Sequence, residues 1–316
     1  MIQRVTGFSR VLGCDVGKDE IVVFDTASKR IVRLANRPDR LAAFAASLDA
    51  NCLAVCEATG GYELALLSAL LEAGVPAHRA DARKVKAFIR SFGTLGKTDA
   101  IDARALARYA TERGHELPVW RAREETRLKL QAFVLARRDL VADRLAYQNR
   151  RDAPGAEPLR PHYDSLLGEF EARIEALDAQ IQALSESCAP ISGAVKALTS
   201  AVKGFGLKTA VALIALLPEL GTTTHKRIAS LAGLAPHPVQ SGAADRYRFV
   251  RGGRPEVKRT LFMAALSARK HNPTLKAFYE RLVANGKKPI VAIVAVMRKL
   301  VTYANAILKA EFAAAT

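Results

Sequence analysis

The chain has 316 residues, half of them hydrophobic, and carries 48 Lys and Arg against 31 Asp and Glu, a formal net charge of +17. This composition excludes a disordered or fibrous protein, and the length favours two domains. The longest apolar stretches, 209–217 and 290–297, fall short of the ~18–20 residues of a membrane span, so no membrane contact is expected. The positive surplus favours nucleic acid as a partner; the alternative is a generally basic protein from an Arg-rich genome.

The four cysteines predict a reducing compartment. Cys14, Cys52, Cys56 and Cys188 lack the spacing of metal ligands or of a disulfide framework. The first ten residues, MIQRVTGFSR, lack the apolar segment of a secretion signal. We therefore expect a cytoplasmic protein.

The first part of the chain has an α/β pattern. Three strands joined by tight turns predict an antiparallel meander, and strands and helices alternate after it. The predicted strands lie at 11–16, 20–25, 29–34, 52–56 and 75–79, and the predicted helices at 38–48, 62–72, 81–91 and 99–112. This order predicts a mixed sheet with helices on its faces.

A helical arm is predicted after Pro118. Amphipathic helices at 124–148 and 163–187 flank a Pro-rich break, and the leucine and isoleucine spacing in the second helix is heptad-like. The pair is either a coiled-coil dimer contact or a helical hairpin within one chain. The predicted segments are 1–118, 119–190 and 191–316.

The C-terminal segment is predicted to be helical with loops. The stretch KGFGLKT at 203–209 fits a helix-hairpin-helix turn that binds phosphate, or any tight turn between helices. A loop rich in Gly and Arg is predicted over 236–254, followed by helices at 255–271, 274–284 and 289–312. Residues 241–316 contain 15 Arg and Lys against 4 acids, so much of the positive surplus lies here.

Four carboxylates stand at the ends of predicted elements. Asp15 ends the first strand, Glu57 follows strand 52–56, and Asp99 and Asp102 share a face at a helix start. Convergence of these oxygen ligands predicts Mg²⁺ or Mn²⁺ and metal-assisted phosphodiester chemistry. Taken singly, each has another explanation: a helix cap, a dipole partner, or a ligand to a nucleotide's metal as in the sugar-kinase fold. Together they favour a ribonuclease-H-like nuclease.

Six stretches carry a family resemblance. They are GCDVGKDEIVVFD at 13–25, CEATGGYE at 56–63, LGKTDAIDARALARYA at 95–110, GFGLKTAVALIALLPEL at 204–220, LAGLAPHPVQSG at 231–242 and RGGRPEVKRTLFMAAL at 251–266. With them the chain resembles the DEDD insertion-sequence transposases, the insertion sequence one-ten family of bridge-RNA-guided recombinases. The resemblance implies a RuvC-like (ribonuclease-H-like) α/β N-terminal domain, a helical coiled-coil arm and a mostly α-helical C-terminal transposase domain.

The resemblance also implies a site and partners. Asp15, Glu57, Asp99 and Asp102 match the family's catalytic and metal-binding set, and Ser241 matches its nucleophile, although its residue context alone indicates a turn serine before Gly242. The implied partners are donor and target double-stranded DNA, a guide (bridge) RNA, and further copies in a homodimer or homotetramer. The implied location is the bacterial cytoplasm, on the nucleoid when bound to DNA.

Basic residues near these motifs are candidate nucleic-acid ligands, the alternative being a solvated surface. They are Lys18, Arg83, Lys84, Lys86, Lys97, Lys203, Lys208, Arg246, Arg248, Arg251, Arg254, Lys258 and Arg259. Two other functions remain open at this point. One is a RuvC-like, structure-specific metal nuclease that uses water as its nucleophile. The other is a nucleic-acid-binding scaffold whose carboxylates only pair with arginines.

Overall fold

The computed structural model describes residues 7–93, 96, 98–122, 124–241 and 244–314, without the side chains of 238–241 and 244–248. The chain divides between residues 123 and 124 into two compact units. Residues 119–123 belong to the N-terminal unit, and the helical arm belongs to the same unit as the C-terminal segment. The three-segment division stays a prediction.

The N-terminal unit contains a five-stranded mixed sheet. Its strands are β1 (Arg10–Val16), β2 (Glu20–Asp25), β3 (Ile31–Ala35), β4 (Cys52–Glu57) and β5 (Ala77–Ala80), in the spatial order β3-β2-β1-β4-β5. The β1–β2 and β2–β3 pairs are antiparallel, whereas β4 runs parallel to both β1 and β5. This is the ribonuclease-H-like arrangement, so the predicted RuvC-like α/β domain is confirmed.

Helices cover both faces of this sheet. They are α1 (Pro38–Ala46), α2 (Glu63–Glu72), α3 (Ala82–Arg90) and α4 (Asp99–Arg113), and a 3₁₀ turn follows at Gly114–Glu116. Alternate residues of β1 enter two cores: Leu12 and Cys14 pack with α1 and α2, while Val11 packs with α3 and α4. Because both faces are buried, the central strands are almost continuously apolar.

Gly13 lets α4 lie directly on β1. A Cβ atom at this position would be 2.0 Å from the carbonyl oxygen of Ala103 and 2.5 Å from the backbone nitrogen of Ala107. Any larger residue would therefore separate the strand from the helix. Gly13 is thus required by close approach.

A hairpin of two long helices begins the C-terminal unit. Helix α5 (Glu125–Arg151) and helix α6 (Arg160–Ser187) are joined through a 3₁₀ turn at Glu157–Leu159. Three Arg–carboxylate pairs connect them at steps of seven residues on each helix: Arg137–Asp178, Arg144–Glu171 and Arg151–Asp164. The two helices form a helical hairpin within one chain, which was one of the two predicted arrangements. The heptad-like spacing serves the packing of α5 against α6.

The rest of this unit is mostly helical, as predicted. Its elements are α7 (Ala189–Ala201), α8 (Leu207–Leu216), α9 (His225–Leu231), β6 (Pro236–Ser241), β7 (Ala244–Val250), α10 (Pro255–His271), α11 (Pro273–Ala284) and α12 (Pro289–Ala314). Among the described helices, α12 alone has the length and apolar composition that could span a membrane. Nine of its residues are buried, which is also the property of a core helix in a globular unit.

The structure corrects the loop predicted over 236–254. Most of it is an antiparallel hairpin of β6 and β7, with a register shift between His237 and Val239. Pro238 lies in this shift, and proline cannot donate to a strand ladder. The β7 segment RYRFV alternates charged and apolar or aromatic residues, a period-2 pattern that the Gly and Arg content of the region obscured. Helix α9 was also not predicted.

Replacing Gly13 with Ala is expected to lower the free energy of unfolding by about 1–3 kcal/mol, because the added methyl group meets backbone atoms of α4. Urea unfolding followed by circular dichroism measures the change. The matched control is Gly168→Ala in α6, where a Cβ atom would meet nothing within 4 Å and the helix propensity increases. Wild-type stability of Gly13→Ala would contradict the close contact.

Candidate active site

Two carboxylates end neighbouring parallel strands. Cys14 and Cys56 are register partners of β1 and β4, so the next residues, Asp15 and Glu57, lie side by side at the same edge of the sheet. Adjacent strands are about 4.8 Å apart. By the alternation along both strands, Asp15 and Glu57 are on the α4 side of the sheet, and both are half-buried.

The first turn of α4 contributes the other two carboxylates. Thr98 caps this helix, its Oγ1 accepting a hydrogen bond from the backbone N–H of Ile101 at 3.2 Å. Asp99 is exposed and Asp102 half-buried, three residues apart on one helix face. Asp102 precedes Ala103, which contacts Gly13, and Asp15 lies two residues beyond Gly13 on the same face of β1. The structure thus brings Asp15, Glu57 and the start of α4 around one contact.

These residues provide only oxygen ligands, which is the donor chemistry that Mg²⁺ and Mn²⁺ prefer. In the described part of the chain, no group of three or more His, Cys, Asp or Glu side chains is gathered closely enough to hold a metal ion. The set matches a divalent cation in its donor chemistry and in the adjacency of Asp15 and Glu57, and not in a gathered three-ligand geometry among the described residues.

A buried carboxylate that the sequence analysis missed fixes the loop after Glu57. Glu63, the first residue of α2, is fully buried. Its Oε2 accepts hydrogen bonds from the backbone N–H and hydroxyl of Thr59, both at 3.1 Å, and from the N–H of Gly61 at 3.0 Å. Its Oε1 accepts from Nε of Arg79 at 2.8 Å and also from Nη2. The available signal was helical spacing, since Glu63 shares a stripe with three buried leucines of α2 at i+3, i+4 and i+7.

The Glu63 network keeps its charge despite burial. Burial raises the pKa of Glu63, but hydrogen bonds from its own backbone N–H, from Arg79 and from Thr59 outweigh that effect and hold the pKa below its ordinary value. Arg79 is therefore paired with Glu63.

The thiols next to the strand-end carboxylates are inert. Burial, together with the nearby Asp15 charge, raises the pKa of Cys14 to about 12. Burial also raises the pKa of Cys56 well above its ordinary value. Since the thiolate is the nucleophilic and metal-binding form, neither cysteine is a candidate for those roles at neutral pH.

The side chain of Asn36 connects the backbone segments that follow β1 and β4. Its Nδ2 donates to the carbonyl oxygen of Gly17, in the turn after β1, at 2.9 Å, and to that of Tyr62, in the loop after β4, at 3.2 Å. One amide group thus links the turn that follows Asp15 to the loop that follows Glu57.

The basic candidates of the N-terminal unit are on the surface. Lys18 lies in the exposed turn after β1, and Arg83, Lys84 and Lys86 are exposed on α3. The α3 helix is capped by Asp81, whose Oδ1 accepts from the backbone N–H groups of Arg83 and Lys84. Lys97 falls outside the described residues. These side chains leave a cationic surface on α3 and the β1 turn.

Ser241 is the last residue of β6. Its backbone pairs in register with Ala244 across the hairpin turn, and its side chain is outside the described atoms, as are those of Arg246 and Arg248. The structure therefore gives Ser241 a position at a strand end.

The remaining basic candidates divide into two groups. Arg251 is exposed with its guanidinium 5.7 Å from the Phe249 ring, and Lys258 and Arg259 line a groove of 880 Å³ together with Phe249, Phe262 and Met263. Lys203 is exposed in the turn between α7 and α8. These cations are accessible to a phosphate.

Arg254 and Lys208 are held by carboxylates. Arg254 donates both Nη atoms to Glu219 at 2.6 Å and also reaches the carbonyl oxygen of Leu216 at 3.2 Å. Lys208 Nζ lies 2.9 Å from Asp178, which Arg137 also contacts. A phosphate would have to compete with these pairs. The glycine of the predicted phosphate turn, Gly204, is explained by packing, since a Cβ there would lie 2.7 Å from Cβ of Ala268.

Comparisons with known families identify the class. A DEDD transposase model of the IS110 type matches residues 12–153, and the model "Transposase IS116/IS110/IS902 family" matches residues 196–280. The RuvC-like sheet and these matches define a DNA recombination enzyme of the transposase class. The chain belongs to the IS110 family of insertion-sequence transposases.

Curated relatives agree with this class. Pilin gene-inverting proteins of Moraxella lacunata and Moraxella bovis are 28% identical over 259 and 229 residues, covering 81% and 71% of this chain and 79% and 70% of theirs. An uncharacterized 43.6 kDa protein of insertion element IS110 from Streptomyces coelicolor is 33% identical over 109 residues, 34% of this chain and 27% of that protein.

Two solved structures of Thermus thermophilus RuvC, one in complex with a Holliday junction substrate, align with 35% of this chain and with 99% and 100% of theirs. Their identities are 16% and 15% and their TM-scores 0.26 and 0.27.

Replacing Arg254 with Lys is expected to lower the unfolding free energy, because lysine cannot form the bidentate ion pair with Glu219. The expected loss is only about 1 kcal/mol, since both side chains are half-buried. Thermal unfolding measures the effect. The control is Arg251→Lys, at an exposed position outside this pair, which should melt like the wild type. Equal melting of both variants would contradict a structural role for Arg254.

Proposed function

We propose that this transposase cuts and rejoins DNA strands of an insertion sequence through Ser241, at sites chosen by a guide (bridge) RNA. The observation that carries the proposal is the adjacency of Asp15 and Glu57 at the ends of two paired strands, beside the first turn of α4. A nucleic-acid-binding scaffold has no use for such a set of carboxylates. A metal-assisted phosphodiester reaction needs one.

Four side chains would hold Mg²⁺ or Mn²⁺: Asp15, Glu57, Asp99 and Asp102. When bound, the divalent cation supplies Lewis-acid stabilisation of the charge that develops on the phosphate. The four carboxylates would hold the cation, and the pairing of β1 with β4 sets the spacing of Asp15 and Glu57. The Thr98 cap fixes the direction in which the first turn of α4 presents Asp99 and Asp102.

The nucleophile in this proposal is the hydroxyl of Ser241. Its Oγ forms a bond to the phosphorus while the bond from phosphorus to the leaving strand breaks. Serine gives up its hydroxyl proton, and the released sugar oxygen takes up a proton. The protein–DNA phosphodiester keeps the energy of the broken bond, so a second strand can be joined by the reverse step. No Walker A sequence is present in the chain, and none is needed.

The proposed nucleic-acid partners follow from the positive charge of the chain and from the strand-exchange reaction. The net charge of +17 and the 15 Arg and Lys of residues 241–316 suit donor DNA, target DNA and RNA. The exposed Arg251 and Arg259 and the half-buried Lys258 are the phosphate ligands in this proposal, and base pairing of the RNA chooses the sequence. The reaction belongs to the bacterial cytoplasm, on the nucleoid, and involves no membrane.

Strand exchange also needs more than one protomer. Two DNA segments must be held together, which a homodimer or homotetramer achieves. Exposed leucines at positions 145, 159 and 166 of the helical hairpin region offer apolar contact area for such assembly. The relatives whose name describes inversion of a pilin gene support rejoining of strands over cleavage alone.

Replacing Ser241 with Ala is expected to lower DNA cleavage about 10³-fold or more and to eliminate the covalent protein–DNA adduct, because no other group takes the place of the attacking oxygen. Denaturing gels of labelled DNA measure both. Ser200→Ala, at the end of α7, is the matched control and should react like the wild type. Cleavage by Ser241→Ala without an adduct would instead establish the RuvC-like nuclease that uses water.

The guide RNA is tested separately. RNA that copurifies with the expressed protein is sequenced and added back to nuclease-treated protein with candidate DNA. Cleavage should depend on the RNA, and altered guide bases should redirect it to the matching DNA sequence. Sequence-specific cleavage that is unchanged without RNA would contradict RNA guidance and leave the serine chemistry intact.

A further inference from the structure

The most completely satisfied buried charge in the N-terminal unit lies outside the set of proposed metal ligands. Glu63 and Arg79 are on the α2 side of the sheet. Arg79 of β5 is the register partner of Cys56 of β4, and Cys56 packs in the core that contains α2. Asp15 and Glu57 are on the α4 side. The pair is therefore on the opposite face from the carboxylate edge, and its hydrogen bonds reach that edge through the backbone of the loop after β4.

Burying the Glu63–Arg79 ion pair costs desolvation free energy, and a gain in folding stability alone does not explain why the pair is present. A carboxylate taken out of water is unfavourable unless every lone pair is used, and apolar replacement of buried ion pairs is often neutral or stabilising. The other members of the same α2 stripe, such as Leu66 and Leu70, are apolar and fully buried. Glu63 instead accepts five hydrogen bonds, three of them from the loop.

That loop follows directly after Glu57, the last residue of β4. The backbone N–H of Ala58 donates to the carbonyl oxygen of Ala80 at 3.1 Å, and the next residue, Thr59, is already bound to Glu63. Gly60 and Gly61 have φ values of +76° and +113°, which side-chain-bearing residues rarely adopt. The backbone of Glu57 is thus held by the strand ladder on one side and by the Glu63 network on the other.

We propose that Glu63 and Arg79 are positioning residues that fix the orientation of Glu57, and through it the affinity of the carboxylate edge for a divalent cation. This inference rests on the proposed metal-binding role of Glu57. Groups that hydrogen-bond a metal ligand typically change metal affinity by 10–100-fold when they are replaced, and for partners that act through the ligand's backbone we expect the lower end of this range, about tenfold.

Mn²⁺ binding to the full chain tests the proposal without any activity measurement. Free Mn²⁺ is followed by electron paramagnetic resonance during titration of the wild type, Glu63→Gln and Arg79→Lys. Both variants are expected to bind Mn²⁺ about tenfold more weakly or worse, with faster amide exchange over residues 58–61. Should Glu63→Gln fail to fold, Arg79→Lys carries the test, because it keeps the positive charge and loses one of the two donors.

Asp25→Asn is the matched control. Asp25 is a buried carboxylate of the same unit, bound to Arg10 at 2.9 Å and to Ser28 at 2.8 Å, near the opposite end of β1. Its replacement should lower thermal stability and leave Mn²⁺ affinity unchanged. A Glu63→Gln variant that also loses only stability would overturn the positioning role.

The Glu57→Gln variant distinguishes failure of the positioning role from failure of the proposed metal-binding role of Glu57. Weakened Mn²⁺ binding by Glu57→Gln, with wild-type binding by both Glu63→Gln and Arg79→Lys, would overturn the positioning role alone. Wild-type Mn²⁺ affinity of Glu57→Gln would overturn the metal site and the positioning role together.

Discussion

The absence of a side chain at Gly13 is the constraint on which the candidate active site depends. The backbone of α4 lies so close to β1 that a single methyl group has no room. This contact puts the first turn of a helix, with Asp99 and Asp102, next to the strand that carries Asp15. The pairing of β1 with β4 adds Glu57. Chain positions that are up to 87 residues apart in the sequence are therefore brought near one edge of the sheet because one residue is small.

Different devices hold the two strand ends in place. Asn36 ties the turn after β1 to the loop after β4, and Glu63 with Arg79 fixes that loop from the other face of the sheet. Both sets of hydrogen bonds are directional, so they fix the backbone at the sheet edge in a way that apolar packing does not. The C-terminal unit uses charge in a similar way, since Arg254 and Lys208 support the fold while other cations stay accessible.

Much of this architecture follows from local patterns. The central strands β1, β2 and β4 were predictable because each is a short apolar run between turn residues, and the order of the elements indicated a mixed sheet with Asp15 and Glu57 at strand ends. Long-range polar pairs were not predictable. The partners Arg254 and Glu219 lie 35 residues apart, and no local signal relates them. The β6–β7 hairpin was missed because its alternation is confined to β7 and lies within a stretch rich in Gly and Arg.

The proposed chemistry depends on divalent metal held by the carboxylates around the Gly13 contact. Anomalous diffraction from crystals of the protein containing Mn²⁺ measures this most directly, because the ion's position is read without reference to activity. We expect an anomalous peak at coordination distance from both Asp15 and Glu57, with Asp99 or Asp102 completing the ligands. A peak bound elsewhere, with these four side chains free of metal at saturating Mn²⁺, would contradict it.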